Sequence, residues 1–171
     1  MGLVEERGSV RRVISLAAAA AALGLVAPTP ANAVNDGVPF KAQLSGTAAF
    51  TSPTTVEFHG GGQAPYLGRF VSSGVAILNA PTGTCPGGVP GIPNVHTETL
   101  TAASGDQLVI RMVNFACPTS PFTFHGTGHW TVPSGTGRFE GVTGEGTIDG
   151  DADFETNTFA LTLTGTLTIT S

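Results

Sequence analysis

The chain has 171 residues, of which 11% are charged, with seven Lys and Arg against twelve Asp and Glu and a formal net charge of −5. So few cations in an acidic chain repel phosphate backbones, which excludes nucleic acid as an expected partner. Low charge with abundant Gly, Thr and Val instead suits one soluble β-domain.

In chain order, residues 1–12 end in Arg11-Arg12, residues 13–27 read VISLAAAAAALGLVA, and PTPANA follows with Ala31 and Ala33 flanking Asn32. A basic patch, an apolar stretch and a small-x-small site predict a secretory signal peptide over 1–33, cleaved after Ala33. The apolar run falls short of the roughly 20 residues that span a bilayer, so no membrane anchor is expected in the mature protein. Arg11-Arg12 leave twin-arginine export open beside the general route, and both lead to a secreted, extracellular protein. The alanine-heavy leader suggests a bacterial substrate.

The mature domain then runs over 34–171, with Lys41, Arg69, Arg111 and Arg138 against ten carboxylates and a net charge of −6. Its first strand is FKAQLSGTAAF, where Phe40, Ala42, Leu44, Ala48 and Phe50 share one face. VEFH near residue 56, GRFVSSGVAIL near 70 and VHTETLTAA near 97 read as further strands. Between the last two lies a long irregular stretch, Asn79 to Asn94. ASGD at 103–106 is a hairpin turn leading into QLVIRMVNF. In FTFHGTGHWTV, Phe122, Phe124, Trp130 and Val132 oppose Thr123, His125, Thr127 and His129. GEGTIDGDADFE sets Ile148, Ala152 and Phe154 against Asp149, Asp151, Asp153 and Glu155, and Thr156-Asn157 turns the chain back. TFALTLTGTLTIT closes the series with Phe159, Leu161, Leu163, Leu167 and Ile169 on one face, and Gly165 there marks a bend or a close approach. About eight short strands separated by turns predict an all-β barrel or sandwich.

Cys85 and Cys117 are the only cysteines. In an oxidising compartment an even count favours a disulfide, which would contribute roughly 3 kcal/mol by restricting the unfolded chain. A reactive thiol with His125 or His129 as its base is the rival reading, and it lacks an identifiable third group.

GTGRFEGVTGEGT at 135–147 raises the question of a phosphate-binding loop. A dinucleotide fingerprint needs G-x-G-x-x-G before a helix, whereas Gly135, Gly137 and Gly141 have a different spacing and a strand follows. No lysine completes a P-loop. The glycines are therefore expected at turns and bulges with positive φ, and Gly135, Gly137, Phe139, Gly141 and Gly144 form a structural turn motif. Gly-Arg-Phe occurs at 68–70 and again at 137–139, with a glycine four residues past Phe70 at Gly74 and five past Phe139 at Gly144. The repeat predicts two similar corners with Phe70 and Phe139 as plugs. Its arginines could alternatively bind an anion.

GTGRFEGVTGEG resembles the glycine-rich signature of allene oxide cyclase and dirigent barrels. YLGRF, TAASGDQL and FALTLTGTLTIT resemble the secreted bacterial branch called allene oxide cyclase barrel-like. The likeness spans roughly Phe40 to Thr170. It implies an eight-stranded antiparallel calycin-like β-barrel around a hydrophobic cavity, with oligomerisation known in plant members. It also implies two functional options: a binder of a small hydrophobic ligand, or an isomerase or cyclase that guides a ring closure inside the barrel. Plant cyclases use an interior glutamate, and dirigent proteins use aspartates with a tyrosine. Glu57 and Tyr66 are the candidates here, although neither aligns with a family position.

The remaining constellations predict no cofactor and no metal. Asp149, Asp151 and Asp153 imitate the start of a calcium loop, but Phe154 and Ala160 replace the required Gly and Glu. His125 and His129 could join His59 or Glu57 around zinc, yet four residues along a strand separate them by about 13 Å. The threonine ladder from Thr162 to Thr170 fits sheet propensity.

Overall fold

The computed structural model describes residues 37–169, and the expected signal peptide over 1–33 lies outside them. Eight strands, β1 (Val38–Ser52), β2 (Thr55–Ala64), β3 (Gly68–Leu78), β4 (Ile92–Ala102), β5 (Gln107–Pro118), β6 (Thr123–Gly135), β7 (Thr143–Asp153) and β8 (Thr158–Thr168), form the chain. They close into a barrel in sequence order. Every neighbouring pair is antiparallel, and β1 completes the circuit against β8 with Val38 opposite Leu167. Alternation left an all-β barrel or sandwich open, and the closed eight-stranded antiparallel barrel that the resemblance implies is the fold. Among the described residues no helix is long and apolar enough to cross a membrane.

Alternation dictates which side chains enter the lumen. On β1, Phe40, Ala42, Leu44 and Ala48 are buried; on β8, Phe159, Leu163 and Leu167 are. An eight-stranded barrel is only wide enough to be filled by side chains or to hold one small ligand. Here the two ends differ. The end bearing the β2–β3, β4–β5 and β6–β7 turns is closed by Leu67, Phe70, Trp130, Phe139 and Val142, all buried. Trp130 packs edge-on against Phe40 at 5.5 Å and donates from its indole N–H to the Thr147 carbonyl at 3.0 Å. A Cβ at Gly146 or Gly165 would come within 2.7 Å of the Trp130 ring, so these glycines are what admit the indole. The expected close approach at Gly165 is thus to Trp130.

The glycine-rich stretch is one of these closing corners. Gly137 and Gly141 hold φ of 59° and 73°, in the region that L side chains avoid, whereas Gly135 ends β6 and Gly144 lies in β7, neither with the expected positive φ. Gly137–Phe139 makes a single 3-10 turn that drives Phe139 inward. Arg138 hydrogen-bonds to the Leu67 carbonyl at 3.3 Å and lies 3.6 Å from the Asp106 carboxylate. It ties this corner to the β2–β3 and β4–β5 turns. Both Gly-Arg-Phe copies therefore serve the same end of the barrel, and both phenylalanines are buried plugs.

Three local expectations change. Phe122 lies outside the core at 54% exposure, because β6 begins one residue later and the turn carries that ring into solvent. Cys117, whose ACPTSP surroundings read as a proline-bearing stretch outside any alternating strand, sits within β5 opposite His125. The long β3–β4 connection covers 79–91, and β4 already begins at Ile92. Cys85 in that connection is bonded to Cys117, so no free thiol remains among the described residues.

Gly137→Val is expected to cost about 1–3 kcal/mol through backbone strain, and Phe139→Ala about 3 kcal/mol through the cavity it leaves. Arg138→Ala should cost under about 1 kcal/mol, since the arginine side chain is 48% exposed and its ion pair is long at 3.6 Å. Urea unfolding of the three variants checks this ranking. A large loss from Arg138→Ala with none from Phe139→Ala would refute the plug.

Candidate functional site

The opposite end of the barrel, bearing the β1–β2, β5–β6 and β7–β8 turns and the β3–β4 connection, is open. Beneath it lies a cavity of about 90 Å³ walled by Val56, Phe58, Ala76, Leu78, Ile148 and Leu161 and rimmed by Phe50, Phe124 and Phe154. For scale, a dry cavity of about 150 Å³ suffices for benzene. The hollow therefore has room for no more than a short apolar segment. Phe154 touches both other rim rings, at centroid separations of 4.6 Å to Phe50 and 5.9 Å to Phe124. Gly126 and Gly150 also border the cavity, and a Cβ at Gly126 would meet nothing nearer than 3.9 Å. The missing side chain at Gly126 therefore leaves open space.

Polar groups enter the lumen from β4 at alternate positions. Asn94, His96 and Glu98 are all buried, His96 at 2% and Glu98 at 0% exposure. His96 and Asn94 face the cavity, as does Asn114 of β5, which pairs with Asn94 in register. Residues two apart on a strand share a face, so the Glu98 side chain reaches back to His96, and Nε2 lies 2.8 Å from Oε2. With the carboxylate ionised, only the tautomer carrying hydrogen on Nε2 donates to it, and Nδ1 becomes the basic nitrogen. Phe58 stacks on the imidazole at 4.3 Å and 26°, which fixes the ring plane.

Gly74 makes this arrangement fit. It pairs with Phe58 on one side and Glu98 on the other, and a Cβ there would lie 2.7 Å from His96 Nε2 and overlap the Glu98 carboxylate. The glycine that follows the first Gly-Arg-Phe thus provides room for a buried acid. A directional hydrogen-bond chain lies beside it. Asn94 Nδ2 donates to the Ile92 carbonyl at 3.4 Å, which turns Asn94 Oδ1 toward Asn114 Nδ2 at 3.3 Å. The buried Asn114 Oδ1, Glu98 Oε1 and Ser72 Oγ have no hydrogen-bond partner among the described residues. Buried polar atoms of this kind are costly, and their concentration in one region separates it from the apolar closed end.

Glu57 is not the interior acid. Val56 and Phe58 take the inward positions on β2, so Glu57 faces outward beside His59 at 3.9 Å, with its side chain 48% exposed. Tyr66 lies in the β2–β3 turn with φ of 68° and is 48% exposed, at the end away from the cavity. The two do not meet each other or the dyad. His125 is on the outer wall, 2.9 Å from the Asp151 carboxylate and 3.5 Å from that of Asp149. Asp153 accepts hydrogen bonds from the backbone N–H groups of Glu155 and Thr156, a turn-capping role. Among the described residues no three His, Cys, Asp or Glu side chains cluster to hold a metal ion.

Comparison with protein-family models, curated proteins and solved structures finds no match. The dyad was missed in sequence because His96 and Glu98 occupy the inward set of β4 and read like a wet face. Counting back in steps of two from Leu100 and Ala102, which share that face, would have placed both inside.

Gly74→Ala should destabilise the barrel by about 1–3 kcal/mol, as overpacking does. Gly126→Ala, facing open space, should stay within about 0.5 kcal/mol of the parent. Chemical denaturation of the pair measures the contrast, and equal stabilities would show that the dyad does not depend on Gly74.

Proposed function

We propose that this chain is a secreted barrel protein that takes a small apolar ligand into the hollow beneath its open end. The observation that carries the reading is the asymmetry of the lumen: one end packed by Trp130, Phe70 and Phe139, the other hollow and lined mainly by apolar side chains. Concave apolar sites with a few convergent polar groups are the usual form of small-molecule sites. Export is supported by the leader pattern over 1–33 and by the Cys85–Cys117 disulfide, a bond that persists in oxidising compartments. The glycine-rich resemblance to allene oxide cyclase and dirigent barrels supports the same reading and keeps oligomerisation open as a property of the assembly.

Native mass spectrometry of exported protein should reveal a bound small molecule. Gly126→Leu, which fills the hollow from a strand that tolerates it, should remove that molecule without lowering the melting temperature. A ligand retained by Gly126→Leu would place binding elsewhere. Amino-terminal sequencing of the same material should begin at or near Val34, and a start upstream of residue 27 would refute cleavage.

The His96–Glu98 dyad favours a second reading, an isomerase or cyclase. A histidine held in one tautomer by a carboxylate is suited to moving a proton. In that case His96 would accept a proton from the bound molecule at Nδ1, with Glu98 stabilising the resulting imidazolium. Turnover of the co-purified molecule by the parent, reduced about 100-fold or more in His96→Gln, would support this reading. Unchanged turnover would sink it.

A further inference from the structure

The charged groups are distributed unequally between the two ends of the barrel. Lys41 pairs with Thr164 near the β1–β8 entry, Arg69 follows the β2–β3 turn opposite Gln63, and Arg138 lies in the β6–β7 corner beside Asp106. These three cations belong to the closed end. The fourth, Arg111, stands on the outer wall of β5 opposite Thr97. None of the four borders the cavity.

Carboxylates dominate the open end. Asp151 is among the residues around the cavity, with its carboxylate on the outer wall beside His125; Asp153 ends β7, Glu155 stands in the adjoining β7–β8 turn, and Asp149 lies one outward position further along β7. His125 is the titratable group paired with them, through Asp149 and Asp151. With His125 protonated, those three side chains still carry one net negative charge. The dyad adds no positive field unless both of its members are protonated. Glu57 and His59, on the outer wall of β2, are exposed and 3.9 Å apart.

The rim itself is aromatic. Phe50 and Phe124 flank Phe154, and aromatic faces attract cations by about 0.5–2 kcal/mol in general. Carboxylates beside a low-dielectric hollow focus a negative potential on its mouth. Both features disfavour an anionic head group.

Resting on the proposed apolar-ligand site, we infer that its ligand is an apolar amine or another organic cation. Its hydrocarbon part occupies the hollow, and its positive head lies at the phenylalanine rim within the field of Asp151 and the β7–β8 turn. Fatty acids and other apolar carboxylates are selected against.

The test compares hexylammonium, hexanol and hexanoate, which share one alkyl chain, by calorimetric titration of the mature barrel. Hexylammonium should bind about tenfold more tightly than hexanoate at about 20 mM salt, with hexanol between them. The gap should shrink toward nothing at about 0.5 M salt, where the screening length falls to a few ångströms. Asp151→Asn combined with Glu155→Gln should reduce the amine preference several-fold and leave hexanol unchanged. Hexanol binding together with equal or tighter binding of hexanoate overturns the cation preference while leaving the apolar site intact. Absence of binding by all three, in folded protein verified by circular dichroism, overturns the site and the preference together.

Discussion

Closure of eight strands fixes the width of the lumen, and each large inward side chain must then be matched by a small one nearby. Trp130 is accommodated because Gly146 and Gly165 present no Cβ to its ring. Phe70 is opposed by Gly62 in the same way, since a Cβ there would lie 2.9 Å from the tip of the ring. At the closed end the volume released by glycine is filled by aromatic rings. At the open end Gly126 and Gly150 border the cavity, and part of that volume remains hollow. Filled and empty halves thus follow from how glycines and large residues are distributed over one continuous wall.

The same constraint explains where a buried acid can stand. Glu98 is fully buried, and an isolated carboxylate in an apolar lumen would be very costly. Gly74 provides the space, His96 a hydrogen-bond partner at 2.8 Å, and Phe58 a fixed plane for that partner. Removing His96 alone would leave the carboxylate without its partner, so the pair is coupled in stability whatever it does chemically. Stability alone does not account for such a pair, since well-packed apolar residues commonly serve as well or better. The polar group at one end of an otherwise apolar lumen is therefore the feature that most sharply separates site from scaffold.

Much of this was legible in sequence because strand parity is a strict rule. Every strand expected from alternation is present, and the turns at ASGD and Thr156-Asn157 fall where their composition places them. Parity also locates Glu57 outside, since Val56 and Phe58 flank it on the inward set. β4 was harder to read, because its inward set changes along its length from Asn94, His96 and Glu98 to Leu100 and Ala102. Hydrophobic contrast between its two faces vanishes where the site begins. The hollow was illegible for a different reason: an inward glycine reads the same whether its neighbours fill the space, as at Gly165, or leave it empty, as at Gly126.

Val38 and Leu167 lie side by side where β1 meets β8, at the end of the barrel that Trp130 and Phe139 seal. The barrel therefore has a handle and a spout. A label, a solid support or a fused protein attached beside Val38 or Leu167 stands about the full length of a strand from the rim, and immobilised molecules would all expose their mouths to the surrounding medium.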